Sequence, residues 1–166
     1  MFTVRPAEPG DLTAMAELFR EMDEFYGETA TEPANAKIDQ INSVLFADPP
    51  LAYAILAWDG SNLVGMAAYS FLWPAALTTK SLYLKELYVS KSYRRRSIGK
   101  LLMEHIFKVA IDTDCSRVEW TTDRENTEAQ RFYEQLGLSA VSSKVFYRSE
   151  GPDALNLFSA AQDYKR

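Results

Sequence analysis

The chain has 166 residues, 47% hydrophobic and 13% aromatic, which is enough apolar material for one packed domain and too much for a disordered chain. No run approaches the roughly 18 apolar residues of a membrane helix, and the opening MFTVRPAEPGDL lacks the basic and apolar segments of a signal peptide, so a soluble cytoplasmic protein is expected. One cysteine, Cys115, one histidine, His105, and a net charge of −5 argue against an internal disulfide, a His-rich metal site, a Ser-His or Cys-His hydrolase and a nucleic-acid partner.

Residues 2–5 alternate and predict an edge strand stopped by Pro6. Asp11 suits a helix N-cap, and Leu12, Met15, Leu18, Phe19, Met22 and Phe25 recur at helical spacing up to Tyr26 and Gly27. After the polar stretch 28–35, Ile38, Ile41, Val44 and Leu45 predict a second helix that ends before Pro49. Residues 52–58 and 62–71 flank Asp59-Gly60-Ser61-Asn62, a hairpin turn between two strands. A strand over 81–89 precedes a long helix marked by Ile98, Leu101, Leu102, His105, Ile106 and Val109, and a strand over 117–122 follows. Residues 126–136 predict a helix closed by Gly137, and 138–141 and 144–148 predict two last strands. The order βααβββαβαββ implies an α/β fold, with a mixed sheet carrying helices on both faces. Residues 1–150 are expected to form a single domain. Residues 151–166 form a tail: a weak helix, a docking segment or a frayed end.

Charge is unevenly placed along the chain. Residues 1–50 are strongly acidic, whereas 80–100 carry seven cations and only Glu86 as a carboxylate. The basic stretch ends a strand and opens a helix through Arg94, Arg95, Arg96, Ser97, Ile98, Gly99 and Lys100. Small and cationic residues feeding a helix N-terminus suit phosphate oxygens, which the free amides and the helix dipole attract and the Arg side chains clasp. The run lacks both the Gly-Lys-Ser/Thr ending of a P-loop and the Rossmann glycine triplet. About thirty residues later comes Asn126-Thr127-Glu128-Ala129-Gln130-Arg131-Phe132-Tyr133-Glu134-Gln135-Leu136-Gly137-Leu138. There Asn126 caps, Ala129 permits close approach, and Phe132 with Leu136 forms an apolar stripe beside Tyr133.

These two segments, in this order, resemble the GNAT superfamily of acyl-CoA-dependent N-acyltransferases. Arg94 through Gly99 is similar to its Arg/Gln-x-x-Gly-x-Gly/Ala loop, with Ser97 in place of the first glycine, and Asn126 through Leu138 is similar to its Asn-x-x-Ala-x-x-Phe-Tyr-x-x-x-Gly-Phe pattern. Within the superfamily the chain looks most like the spermidine/spermine and thialysine N-acetyltransferase group through 82–89, Cys115-Ser116 and Ser142-Ser143. Lys85 stands where that group often has a second carboxylate, and Glu86 does not replace it because strand neighbours face opposite sides.

The resemblance implies a centrally splayed, mostly antiparallel sheet of about seven strands with about four helices. It implies acetyl-CoA as cofactor and direct acetyl transfer to a small-molecule amine, and it leaves a homodimer open. The cofactor would lie along Leu87, Tyr88, Val89, the loop from Arg94 to Lys100, and Asn126, Ala129, Phe132 and Tyr133. An amine of pKa about 10.4 is neutral in roughly one molecule in 2,500 at pH 7, a penalty of ~4.6 kcal/mol that makes a base valuable. Glu86 is the candidate base, Tyr133 the general acid, and the amides of 87–89 the oxyanion donors. Glu24, Phe25, Tyr26, Glu28 and Glu86 are expected to receive a cationic amine through charge and cation–π attraction. Acetylation of protein amines and a non-catalytic CoA-binding sensor module are the alternative readings.

Overall fold

The computed structural model describes residues 1–28, 32–151, 154 and 156. The chain divides into two compact units, Met1–Arg124 and Glu125–Arg166.

The first unit holds five strands, β1 (Thr3–Pro6), β2 (Tyr53–Asp59), β3 (Asn62–Leu72), β4 (Lys80–Val89) and β5 (Cys115–Glu119), in that order across one sheet. Strands β1 to β4 are antiparallel, and β5 joins β4 in parallel through the crossover helix α3 (Ile98–Asp112). Helices α1 (Leu12–Phe25) and α2 (Ala34–Leu45) cover one face, burying Met15, Leu18, Met22 and Ile41 against Ala54, Leu56, Met66 and Tyr88. Gly65 precedes Met66 and therefore faces the other side. There it lies under Ile98 and Leu102 of α3, both fully buried. Asp11 precedes α1, yet its carboxylate does not cap that helix. It accepts two 2.7 Å hydrogen bonds from Arg5 and one of 2.8 Å from the Glu8 amide, tying β1 to the helix start. That pairing holds the Asp11 carboxyl below its ordinary pKa.

The second unit contains α4 (Thr127–Gln135), whose N-cap Asn126 accepts from the Ala129 amide at 3.1 Å and whose end is turned by Gly137 at φ 80°. The strands expected at 138–141 and 144–148 do not form, so the sheet has five strands, not seven. Val141, Val145, Phe146 and Tyr147 are 60–88% exposed. Alternation in sequence makes a strand only when a neighbouring strand takes up its hydrogen bonds. The expected tail helix lies mostly outside the described residues. No described helix is long and apolar enough to cross a membrane.

Candidate active site

Strand β4 is the spine of the site. Ala68 pairs with Glu86, but the next residue of β3, Tyr69, pairs with Leu84, so Lys85 bulges out of the ladder. The bulge resets the alternation. Leu82 and Leu84 lie opposite Phe71 and Tyr69, whereas Glu86 and Tyr88 lie opposite Ala68 and Met66 on the α1 face. With Lys85 paired in a regular ladder, Leu84 and Glu86 would share a face. Bulging thus carries the carboxylate toward the end of α1, where the Tyr26 hydroxyl donates to Glu86 Oε1 at 3.3 Å. Burial raises the Glu86 pKa; the Tyr26 hydrogen bond, the Leu87 amide and Lys85 act against the rise without cancelling it. Burial and the charge of Glu86 push Tyr26 up to about 12, with Asp123 adding to the effect, so its phenol remains a neutral donor. A partly desolvated carboxylate of raised pKa can take a proton from an ammonium.

Past Tyr83 the strand keeps β3 on one side and loses its neighbour on the other. β5 pairs with β4 only from Lys80 to Tyr83, and among the described residues no strand continues that side to Val89. This is the splay expected at Leu87, Tyr88 and Val89, and it leaves an edge of main-chain groups there. The Leu87 amide also acts on the Glu86 carboxylate. After Val89, a 3-10 turn (Lys91–Tyr93) leads to Arg95 and Ser97, both left-handed at φ 65° and 62°. The Ser97 side chain makes no capping hydrogen bond, so the first amides of α3, at Ile98, Gly99 and Lys100, have no intrahelical acceptor. Arg95, Arg96, Ser97 and Lys100 are exposed around them. Uncapped amides at a positive helix end, ringed by cations, fit a diphosphate.

Arg94 turns away from that ring. Its Nε donates to the Val89 carbonyl at 3.2 Å, and its guanidinium lies 4.4 Å from the Phe25 ring centroid and 5.7 Å from that of Tyr88. One face of Phe25, expected to attract a substrate cation, therefore holds a cation of the chain itself. Glu24 lines a cleft of about 440 Å³ with Glu17, Arg20, Glu21 and Asn62, of which Glu86 is not a lining residue. Glu28 is exposed, and Asp23 is paired with Lys37 of α2. Of the five expected amine contacts, the structure brings Tyr26 and Glu86 into direct contact and sets Phe25 beside Tyr26, ring centroids 5.3 Å apart. In the second unit, Asn126, Ala129, Phe132 and Tyr133 are half-buried on one side of α4, with the Phe132 and Tyr133 rings 5.1 Å apart.

Sequence reasoning missed Glu21 and Asp123. Glu21 accepts hydrogen bonds from residues 67 to 70 positions away, and Asp123 acts on Tyr26 across a still longer separation. No local pattern signals either.

The model of the family described as "Acetyltransferase (GNAT) family" matches residues 12–138. A thialysine N-epsilon-acetyltransferase of Sus scrofa is 25% identical over 142 residues, covering 81% of this chain and 82% of its own. An L-ornithine N5-acetyltransferase of Arabidopsis thaliana is 35% identical over 83 residues, covering 50% of this chain and 36% of its own. Among solved structures, an integron cassette protein from the mobile metagenome of V. cholerae is similar at a TM-score of 0.84 and 27% identity, over 95% of this chain and 97% of that one.

Proposed function

This chain belongs to the GNAT family of acetyltransferases, and from that premise we propose that it acetylates a primary amine on a small cationic molecule. The family assignment makes it an acetyl-CoA-dependent N-acetyltransferase; the class of amine and the residue roles are the proposal. The observation that carries it is the Tyr26–Glu86 pair on the α1 face of β4, a partly desolvated carboxylate with a hydroxyl donor beside the open end of the strand. Curated relatives named for thialysine and ornithine, each bearing a side-chain amine, support a small cationic acceptor.

Acetyl-CoA supplies an activated acetyl thioester, and the rest is the work of this chain. Ile98, Gly99 and Lys100 offer main-chain N–H groups, and Arg95, Arg96 and Lys100 offer positive charge, to hold the diphosphate. Glu86 attracts the incoming ammonium and accepts its proton at a carboxylate oxygen, the step on which the penalty of roughly 4 to 5 kcal/mol for freeing an amine of ordinary pKa at neutral pH falls. Tyr26 keeps that carboxylate in place. Main-chain N–H groups of Leu87 and Val89, which alternate with the ladder-bonded Tyr88 and Ser90 and face the open edge, serve as donors to negative charge developing on the acyl oxygen. As the C–S bond of the thioester breaks, Tyr133 would give its proton to the departing thiolate sulfur, a role taken from its place in the Asn126–Leu138 pattern.

The test is thiol release from acetyl-CoA in the presence of a panel of polyamines, dibasic amino acids, aminoglycosides and a peptide with a free amino terminus. Turnover with a small amine is expected. Turnover with the peptide alone would replace the substrate class, and acetyl-CoA binding without turnover of any amine would favour the non-catalytic reading.

A further inference from the structure

The Glu21 carboxylate, on α1, gathers three donors from one short stretch of chain. Oε1 accepts from the Tyr88 hydroxyl at 3.1 Å and from the Lys91 amide at 2.8 Å, and Oε2 accepts from the Ser90 hydroxyl at 3.0 Å. Tyr88 and Ser90 are buried, and the Ser90 amide donates to the Val64 carbonyl at 2.9 Å. The residues where β4 ends and the cationic loop begins are therefore held from two directions, by the sheet and by α1. The Tyr88 ring, whose hydroxyl Glu21 fixes, is in turn one of the two rings under Arg94.

An acidic side chain close to a site built for an anion is electrostatically costly unless its charge is used locally. Here three hydrogen bonds use it. We propose that Glu21 is the positioning residue of the cofactor loop: by pinning Tyr88, Ser90 and Lys91 to α1 it sets the course of the backbone through Arg95 and Ser97, so that the first amides of α3 and the neighbouring cations converge on the diphosphate of acetyl-CoA. This inference rests on the reading of that loop as the diphosphate site.

Positioning and bare electrostatics predict opposite signs. If Glu21 acted only as a nearby negative charge, Glu21→Gln would tighten CoA binding. If it positions the loop, the same change weakens binding, because an amide keeps one acceptor oxygen and loses the other. Glu21→Gln and Glu21→Ala are to be compared with the wild-type protein by calorimetric titration of CoA and by steady-state kinetics. The expected outcome is a Kd and an acetyl-CoA KM raised about threefold in Glu21→Gln and about tenfold or more in Glu21→Ala, as fits the loss of hydrogen bonds to a charged acceptor. The KM for the amine should stay within about twofold. The partial rescue by Gln marks positioning, since a general loss of folding would raise both KM values and lower the Tm in parallel. An unchanged or lowered CoA Kd in folded Glu21→Gln, or parallel rises in both KM values, overturns the role of Glu21. Titration of S-acetylpantetheine, which lacks the diphosphate, separates the two levels. Wild-type protein that binds it as tightly as CoA overturns the loop reading itself, whatever the Glu21 variants do.

Discussion

Gly65 joins the sheet to the helix whose N-terminus is proposed to meet the diphosphate. A Cβ built on it would stand 3.0 Å from the Tyr88 carbonyl oxygen, 3.2 Å from Ile98 Cγ2 and 3.3 Å from Leu102 Cδ1. The carbonyl cannot rotate aside, since Met66 and Tyr88 are ladder partners, and Ile98 and Leu102 are 1% and 0% exposed. Gly65→Ala must therefore push α3 off the sheet by some tenths of an ångström. Such overpacking costs about 1–3 kcal/mol, against about 0.4–1 kcal/mol recovered from a stiffer unfolded chain. The net loss is about 1–2 kcal/mol, or roughly 2–8 °C in Tm for a chain of this length. Ile98 is the first residue of α3, so the same shift displaces the amides of Gly99 and Lys100 and weakens CoA binding. Thermal denaturation followed by circular dichroism, with CoA titrated into the folded variant, measures both. A Tm within about 1 °C of wild type together with an unchanged CoA Kd would show that the contact relaxes freely, and the claimed coupling between Gly65 and the loop would be wrong.

Ser97 occupies a left-handed conformation that costs an L-residue about 1–2 kcal/mol. Ser97→Gly should therefore raise the Tm by about 1–3 °C after the entropy of the freer unfolded chain is deducted; a fall in Tm would show that the serine side chain makes a contact that outweighs the strain. Glu86→Gln should lower kcat about 10²- to 10⁴-fold and abolish the acidic limb of the rate profile, and an unchanged profile would place the base elsewhere. Glu86 must be ionised to accept a proton, so activity falls as pH drops through its raised pKa. Tyr26 favours the ionised form, so Tyr26→Phe should move that limb to still higher pH, and a shift to lower pH would contradict the assigned hydrogen bond. Tyr133→Phe should reduce kcat about 10²-fold at saturating substrate with little change in either KM; full activity would remove Tyr133 from proton transfer.

The features legible in the sequence are those fixed within a few residues. Gly60 at φ 60° turns the hairpin, Asn126 caps α4 through an amide three residues on, and Gly137 at φ 80° follows that helix. Each depends on near neighbours, so a short window contains the whole cause. Asp11 shows the limit of that window. Its residue type suits a cap, but Arg5, brought alongside by β1, offers its carboxylate two stronger charge-assisted bonds. The segment 138–148 shows the same limit from the other side, having the pattern of strands without the partner that would make them so. Glu86 was identifiable as a lone carboxylate on a Leu- and Tyr-rich strand. Its direction was not, because the bulge at Lys85 belongs to the pairing of β3 with β4 and to neither strand alone.

The uneven charge along the chain acquires a geometric meaning in this arrangement. Sequence alone separates an acidic first third from a basic centre and suggests a different ligand for each. In the fold, the end of α1 lies against the end of β4, and much of that charge is spent inside the protein. Glu21 holds Lys91 by its amide, Asp23 pairs with Lys37, and Arg94 lies over Phe25. Of the loop cations at the opening of α3, Arg96 lies 5.0 Å from the Tyr93 ring centroid and Lys100 has only a loose 3.8 Å contact with Glu104. On the proposed amine side, Glu86 faces a neutral tyrosine instead of a permanent cation. A carboxylate already paired with arginine would bind an ammonium weakly and accept its proton poorly, since that pairing lowers its pKa. Placing Arg94 on the rings of Phe25 and Tyr88 keeps a necessary cation near the loop while leaving the Glu86 pKa raised. The aromatic residues at the end of α1 thus serve the proposed base indirectly, by holding the chain's own cation and leaving the carboxylate to a neutral donor.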